Sequence, residues 1–155
     1  METAILARTL HVLGVVLWIG GVAFVTTVLL PSIRQLKTPA ERVNFFEAIE
    51  GRFAWQARAT TLLVGITGFY LAYAWNLWAR FNDVSYWWMH LMVGIWVFFS
   101  VMLFIAEPLF LHRWFRESAA RAPEQTFRRI ELLHRILLLI SLLAVFGAVS
   151  GSHGF

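Results

Sequence analysis

The sequence predicts an all-α integral membrane protein, an antiparallel up-down bundle of four transmembrane helices forming one domain over residues 1–155. Three observations carry that prediction. Hydrophobic residues make up 59% of the chain and charged residues only 14%, with a mean hydropathy of +0.68, whereas about a quarter of a soluble domain is charged. Four stretches free of Asp, Glu, Lys and Arg reach the roughly 20 residues that crossing a bilayer takes: Thr9–Leu30, Ala59–Ala79, Val84–Ala106 and Ile136–Phe155. Eleven of the thirteen basic residues fall into the two longer loops between these stretches.

The first span closes at Pro31, a helix breaker. Thr38-Pro39-Ala40-Glu41 has the pattern of a helix start, with Thr38 as cap and Pro39 in the first helical position, which predicts a short interfacial helix over about 40–50. Arg80-Phe81-Asn82-Asp83 joins spans two and three as a tight antiparallel pair. The third span is expected to run on past Pro108 into Trp114 with a kink. The fourth is entered through an amphipathic approach, Gln125–Arg135. Arg34, Lys37, Arg42, Arg52 and Arg58 lie in the first long loop, and six further arginines between Arg113 and Arg135 in the second. Only Arg8 and Arg80 lie on the other face. The positive-inside rule therefore predicts an inner-membrane, multi-pass protein with cytoplasmic long loops and both termini periplasmic. Trp75, Trp78, Tyr86, Trp87 and Trp88 gather at the outer face as an interfacial aromatic belt does. No cleavable signal is expected, because the first apolar run is too long for one and lacks a small-residue cleavage site.

Composition also bounds the chemistry. The absence of cysteine excludes disulfides, thiolate metal sites, iron–sulfur clusters and thioether-linked haem. The net charge of +4 and pI near 10.3 do not indicate nucleic acid, since the basic residues stand between apolar runs. Nothing resembles a serine triad, a phosphate loop or a dinucleotide fingerprint.

Ionisable residues within spans mark functional sites by default, and here they are histidines. His11 and His90 each lie just inside the outer end of a span, so they share a depth. Two histidines at one depth on different helices is the arrangement that axial ligation of a haem requires. Gly14 and Gly94 follow them by three and four residues on the same faces, where a missing side chain leaves room for a flat macrocycle. Arg8, three residues before His11, and Arg80 can meet propionates. The competing reading makes these interfacial histidines bonded to other helices, with the glycines serving close packing. At the opposite face, His112 and His134 can hold a second haem. With Glu107 and Glu131 they can instead hold a metal ion, since Glu131 and His134 have the Glu-x-x-His spacing of carboxylate metal sites, or they are solvated loop-edge groups. His112 follows His90 by twenty-two residues, close to whole turns of a regular helix. About 33 Å of rise separates the two, so two histidine pairs mean two sites. His153 is expected to be exposed. Gly147 and Gly151 form Gly-x-x-x-Gly, and with Gly65 and Gly68 they read as packing surfaces, within the chain or between copies in a homo-oligomer.

Leu10-His11, then Trp18-Ile19-Gly20-Gly21 and Leu30-Pro31, resembles the first helix of the copper-resistance D (CopD) family and of the HemJ-type membrane protoporphyrinogen oxidases. Trp88-Met89-His90 is similar to the oxidase family's Trp-x-His-x-Lys at the start of the third span. Phe53 to Tyr70 resembles its second helix, and Phe127-Arg128-Arg129 the approach to its last. The resemblance implies a four-helix haem b membrane protein with His11 and His90 at the family's histidine positions. The oxidase family's lysine is Met92 here, which removes one expected element of that activity. Met1, Met89, Met92 and Met102 do not form the methionine clusters that copper(I) handling favours. The expected function is electron transfer between a quinol and a redox protein through one haem b, or two stacked across the bilayer. The alternatives are a protoporphyrinogen oxidase-like oxidoreductase and a copper or other metal-ion transport protein.

Overall fold

The computed structural model describes residues 1–35 and 38–152, apart from the side chains of Ala40, His112 and Ser152. Among the described residues the secondary structure is entirely helical. We number the helices α1 (Glu2–Ile33), α2 (Pro39–Ala74), α3 (Trp87–Val101), α4 (His112–Arg121) and α5 (Pro123–Ser152). Short 3₁₀ turns at Leu77–Asn82 and Val84–Tyr86 connect α2 to α3, and a π-helical stretch, Met102–Leu111, carries α3 into α4. Three segments are long and apolar enough to cross a membrane: Glu2–Ile33, Val84–Leu111 and Pro123–Gly151. Helix α2 falls short of them in hydropathy, because threonines, tyrosines and glycines interrupt its apolar residues between 60 and 73.

The predicted helix over 40–50 is not a separate element. It is the first part of α2, which runs unbroken for 36 residues. Its start follows the sequence: the Thr38 side chain accepts from the Glu41 N–H (3.2 Å), the Glu41 carboxylate accepts from the Thr38 N–H (3.0 Å), and Pro39 follows the cap. This is a capping box. Charges that resemble a loop in the sequence lie instead on a helix surface and pair with α4 and α5. Arg116 makes a two-pronged contact with Glu47 (2.6 and 2.8 Å), and Arg42 meets Glu124. Phe127 packs edge to face on Phe46 and on Phe115, whose own rings are tilted to each other, with Leu30 and Ile33 of α1 completing a buried core at the basic end.

Both prolines within the helices are matched by wider turns. A proline ring clashes with the carbonyl four residues back, and a π-turn gives that carbonyl more room. In α1 the π-turns cover Val25–Leu29, just before Pro31, and the hydroxyls of Thr26 and Thr27 donate to the carbonyls of Val22 (2.6 Å) and Ala23 (2.8 Å). After α3 the π-helical stretch contains Pro108, which has no N–H to give. The carbonyl five residues back, Leu103, takes a hydrogen from Arg58 Nε of α2 instead (3.0 Å), and the same guanidinium pairs with Glu107. This stretch also changes the helical phase between His90 and His112, so the whole-turn spacing that relates them in a regular helix does not apply.

Helices α1 and α2 pack antiparallel, as do α3 and α5. Tyr70 reaches Thr3 (3.0 Å), Gly14 abuts Val64 and Gly21 abuts Phe53, so positions fall along α2 as they rise along α1. Gly65 seats the indole of Trp96, whose Nε1–H donates to the Thr61 carbonyl (2.9 Å). Gly147 and Gly151 seat Trp87 and Trp88, so the Gly-x-x-x-Gly face is filled from within the chain. Large apolar side chains such as Leu17, Val97, Phe104, Leu139 and Phe146 stay exposed along the outside of the helices, which suits contact with lipid.

Candidate functional site

Position 11 falls on the face of α1 that meets α2. Gly68 makes room for the imidazole there: a Cβ on Gly68 would stand 3.1 Å from His11 Cε1. His11 Nδ1 lies 3.1 Å from the Val64 carbonyl and 3.1 Å from Thr67 Oγ1. A carbonyl only accepts, so Nδ1 carries the hydrogen. The Thr67 hydroxyl gives its own hydrogen to the Leu63 carbonyl (2.6 Å), leaving its oxygen to accept from His11. Both contacts thus fix the same tautomer, and Nε2 keeps its lone pair. Histidines that bind metals are oriented in this way, with the second ring N–H on a carbonyl or carboxylate.

His11 lines a cavity of about 260 Å³ between α1, α2, α3 and α5. The walls are apolar and aromatic, formed by residues such as Ile19, Phe69, Trp75, Trp78 and Val93. His11 is the one titratable side chain among the lining residues. Two further polar groups on the wall, Trp18 Nε1 and Ser141 Oγ, have no hydrogen-bond partner although their residues are only 4% and 2% exposed. Burying a polar group without a partner costs about 1–3 kcal/mol. An apolar cavity with a few convergent polar groups is the usual form of a small-molecule site.

The other expected residues stand elsewhere. His90 is exposed, and its Nε2 lies 2.9 Å from the Phe81 carbonyl, so that nitrogen holds the hydrogen and donates it. The Phe81 ring meets the imidazole edge to face. A tight turn holds that carbonyl in place. Asn76 takes the left-handed conformation (φ 49°), which asparagine tolerates, and the Ser85 N–H donates to Asp83 (2.9 Å). That bond holds the Asp83 carboxyl below its usual pKa. The structure therefore does not bring His11 and His90 together on one cavity. Gly14 leaves no room for a macrocycle, because Val64 fills the space beside it; Gly94 has open space beside it but does not line the cavity. Arg8 lies over the ring of Trp75, a cavity wall (6.0 Å), while Arg80 lies over Tyr86 (4.9 Å).

At the basic end, Glu131 is buried and paired with Arg34 (2.8 Å) and Arg135 (2.5 Å). Glu107 is paired with Arg58. His134 Nδ1 donates to the Ile130 carbonyl one turn back (2.9 Å). His112 belongs to α4 by its backbone; its side chain and His153 lie outside the described residues. Among the described residues, no three His, Asp or Glu side chains gather as metal ligands.

Met89, Met92, Trp18 and Ser141 were not expected at the site. Their signal is periodicity: positions 11, 15, 18 and 19 of α1, and 89, 92, 93 and 96 of α3, recur at the i, i+3, i+4, i+7, i+8 spacing of one helix face. Position 90 lies off that stripe. Compared with family models, curated proteins and solved structures, the chain matches none.

Proposed function

We propose that the chain is a four-span haem b protein of a bacterial inner membrane, transferring electrons between a quinol and a redox partner, with His11 as the residue that would hold the haem. The fixed tautomer of His11, with Nδ1–H on Val64 and Thr67 and Nε2 left with its lone pair, is the observation that carries this reading. The apolar walls suit a macrocycle, and a haem bound there supplies a one-electron couple. A haem is larger than the cavity's volume of about 260 Å³, so the helices around it would have to part to admit one. Arg8, over Trp75, would serve an anionic edge. The chain's own residues hold the ligand imidazole in register, exclude water with indole and phenyl rings, and set the local polarity.

In this reading α2 is the fourth span, its threonines and tyrosines turned to neighbouring helices or to the interface, and both termini face the periplasm. Reporter fusions at the two termini are expected to be active with a periplasmic reporter and silent with a cytoplasmic one; the reverse pattern overturns the orientation.

A second reading is favoured by the two unpartnered groups. Trp18 and Ser141 line the cavity and leave an indole N–H and a hydroxyl without partners in the chain, the kinds of group that hydrogen-bond quinone oxygens. The oxidase and metal-transport alternatives gain no such observation: Met92 stands in place of the oxidase lysine, and no acidic side chain lines the cavity. Reduced-minus-oxidised spectra of purified protein separate the readings. The expected result is a b-type spectrum. A folded, colourless preparation carrying extractable quinone would favour the second reading.

A further inference from the structure

We propose that the start of α5 holds an anionic phospholipid, with Arg128 and Arg129 on its phosphate and the apolar face beside them along its acyl chains. On a helix, a carboxylate four residues before an arginine pairs with it, and Glu124 stands there for Arg128. Packing takes it away, because Glu124 meets Arg42 of α2 instead. Glu131, three residues after Arg128, is buried in the bundle, where Arg34 and Arg135 hold it. Arg128 and Arg129 are therefore exposed, adjacent and without a carboxylate partner among the described residues. Two such guanidinium groups attract an anion, and the planar fork of arginine matches phosphate oxygens two at a time.

What continues from the arginines selects a lipid. At 3.6 residues per turn, Leu132, Ile136, Leu139 and Leu143 fall in the sector of α5 that Arg128 and Arg129 bound, and each is exposed. The opposite side of α5, with Phe127, Leu138 and Ala144, is the buried one. The exposed strip runs about 22 Å along the axis from Arg128 to Leu143, on a segment apolar enough to cross a membrane. An acidic soluble protein would meet the arginines and leave the strip uncovered, and a free phosphate would cover none of it. A diacyl phosphate ester uses both, with charge at its head and apolar length below. Anionic head groups also favour basic side chains at a membrane surface, by about fivefold in binding for each one.

The test is native mass spectrometry of the purified chain in mild detergent, titrated with dioleoylphosphatidylglycerol or dioleoylphosphatidylcholine. Wild type is expected to retain the phosphatidylglycerol about tenfold more tightly or better, a preference of the size two arginines supply. Arg128→Gln combined with Arg129→Gln is expected to abolish most of that preference. Both changes are on the surface, so helix content by circular dichroism should match wild type. Arg52→Gln combined with Arg121→Gln removes the same charge from two other exposed arginines and is expected to keep the preference. Glycerophosphoglycerol, the head group without its chains, is expected not to compete. Equal loss of preference in the two double variants overturns the site, because the attraction is then a diffuse field. Equal retention of both lipids by wild type overturns it too, and leaves the arginines to an acidic protein partner. Effective competition by glycerophosphoglycerol overturns the lipid as occupant in favour of a soluble phosphate ester.

Discussion

His11→Ala is expected to lower the haem bound per chain at least tenfold while the protein still inserts and folds. Insertion follows the apolar segments, and this change shortens none of them. The fold tolerates the loss because neither partner of His11 is stranded: the Thr67 hydroxyl still donates to the Leu63 carbonyl, and the Val64 carbonyl keeps its place within α2. What disappears is the Nε2 lone pair of a side chain that lines the cavity. Added imidazole is expected to restore part of the spectrum by entering the space left behind. Thr67→Val is a graded companion. It removes one of the two acceptors that orient Nδ1–H, so affinity should fall toward the low end of the 10–100-fold typical of such partners. Haem content in His11→Ala equal to wild type would remove His11 from the site.

The second large effect is on stability. Arg58→Leu is expected to destabilise the protein by about 2–4 kcal/mol, read as a lower unfolding temperature in mild detergent. The substitution strands two groups at once, the Glu107 carboxylate and the Leu103 carbonyl beside Pro108. Breaking a buried ion pair from one side costs about 3–5 kcal/mol. The lower range applies here because these side chains remain 27% and 22% exposed, and water screens what it reaches. Arg58→Leu combined with Glu107→Leu is expected to recover most of the loss, since no charge is then left unpaired. Arg58→Lys should fall between, as an ammonium lacks the planar fork that serves carbonyl and carboxylate together. If the double variant is no more stable than the single, the carbonyl contact dominates.

The apolar runs, their approximate ends and the Thr38 cap were legible in the sequence because each depends on local chemistry. The continuity of α2 was not. Glu47, Arg42 and Arg58 resemble a solvated loop until their partners are known, and Arg116, Glu124 and Glu107 lie 49 to 82 positions away. The site was half legible. His11 stood out as an ionisable group in an apolar run. Its orientation was hidden, because Val64 and Thr67 are unremarkable until α1 and α2 are rotated into contact. His90 stood out equally, and only the turn that brings the Phe81 carbonyl to it shows where its hydrogen goes. Equal depth was readable from sequence, but azimuth around each helix decides which side chains face one another.

Helix α2, at about 1.5 Å per residue, is roughly 54 Å long, nearly twice the apolar thickness of a bilayer, which is about 30 Å. Pro39 is its first residue, and no proline interrupts it afterwards. One stiff rod therefore joins the charged surface around Glu47 to Val64, Thr67 and Gly68, which seat the His11 ring. The charged surface and the seat of the imidazole are thus built on one continuous helix, with no proline or break between them.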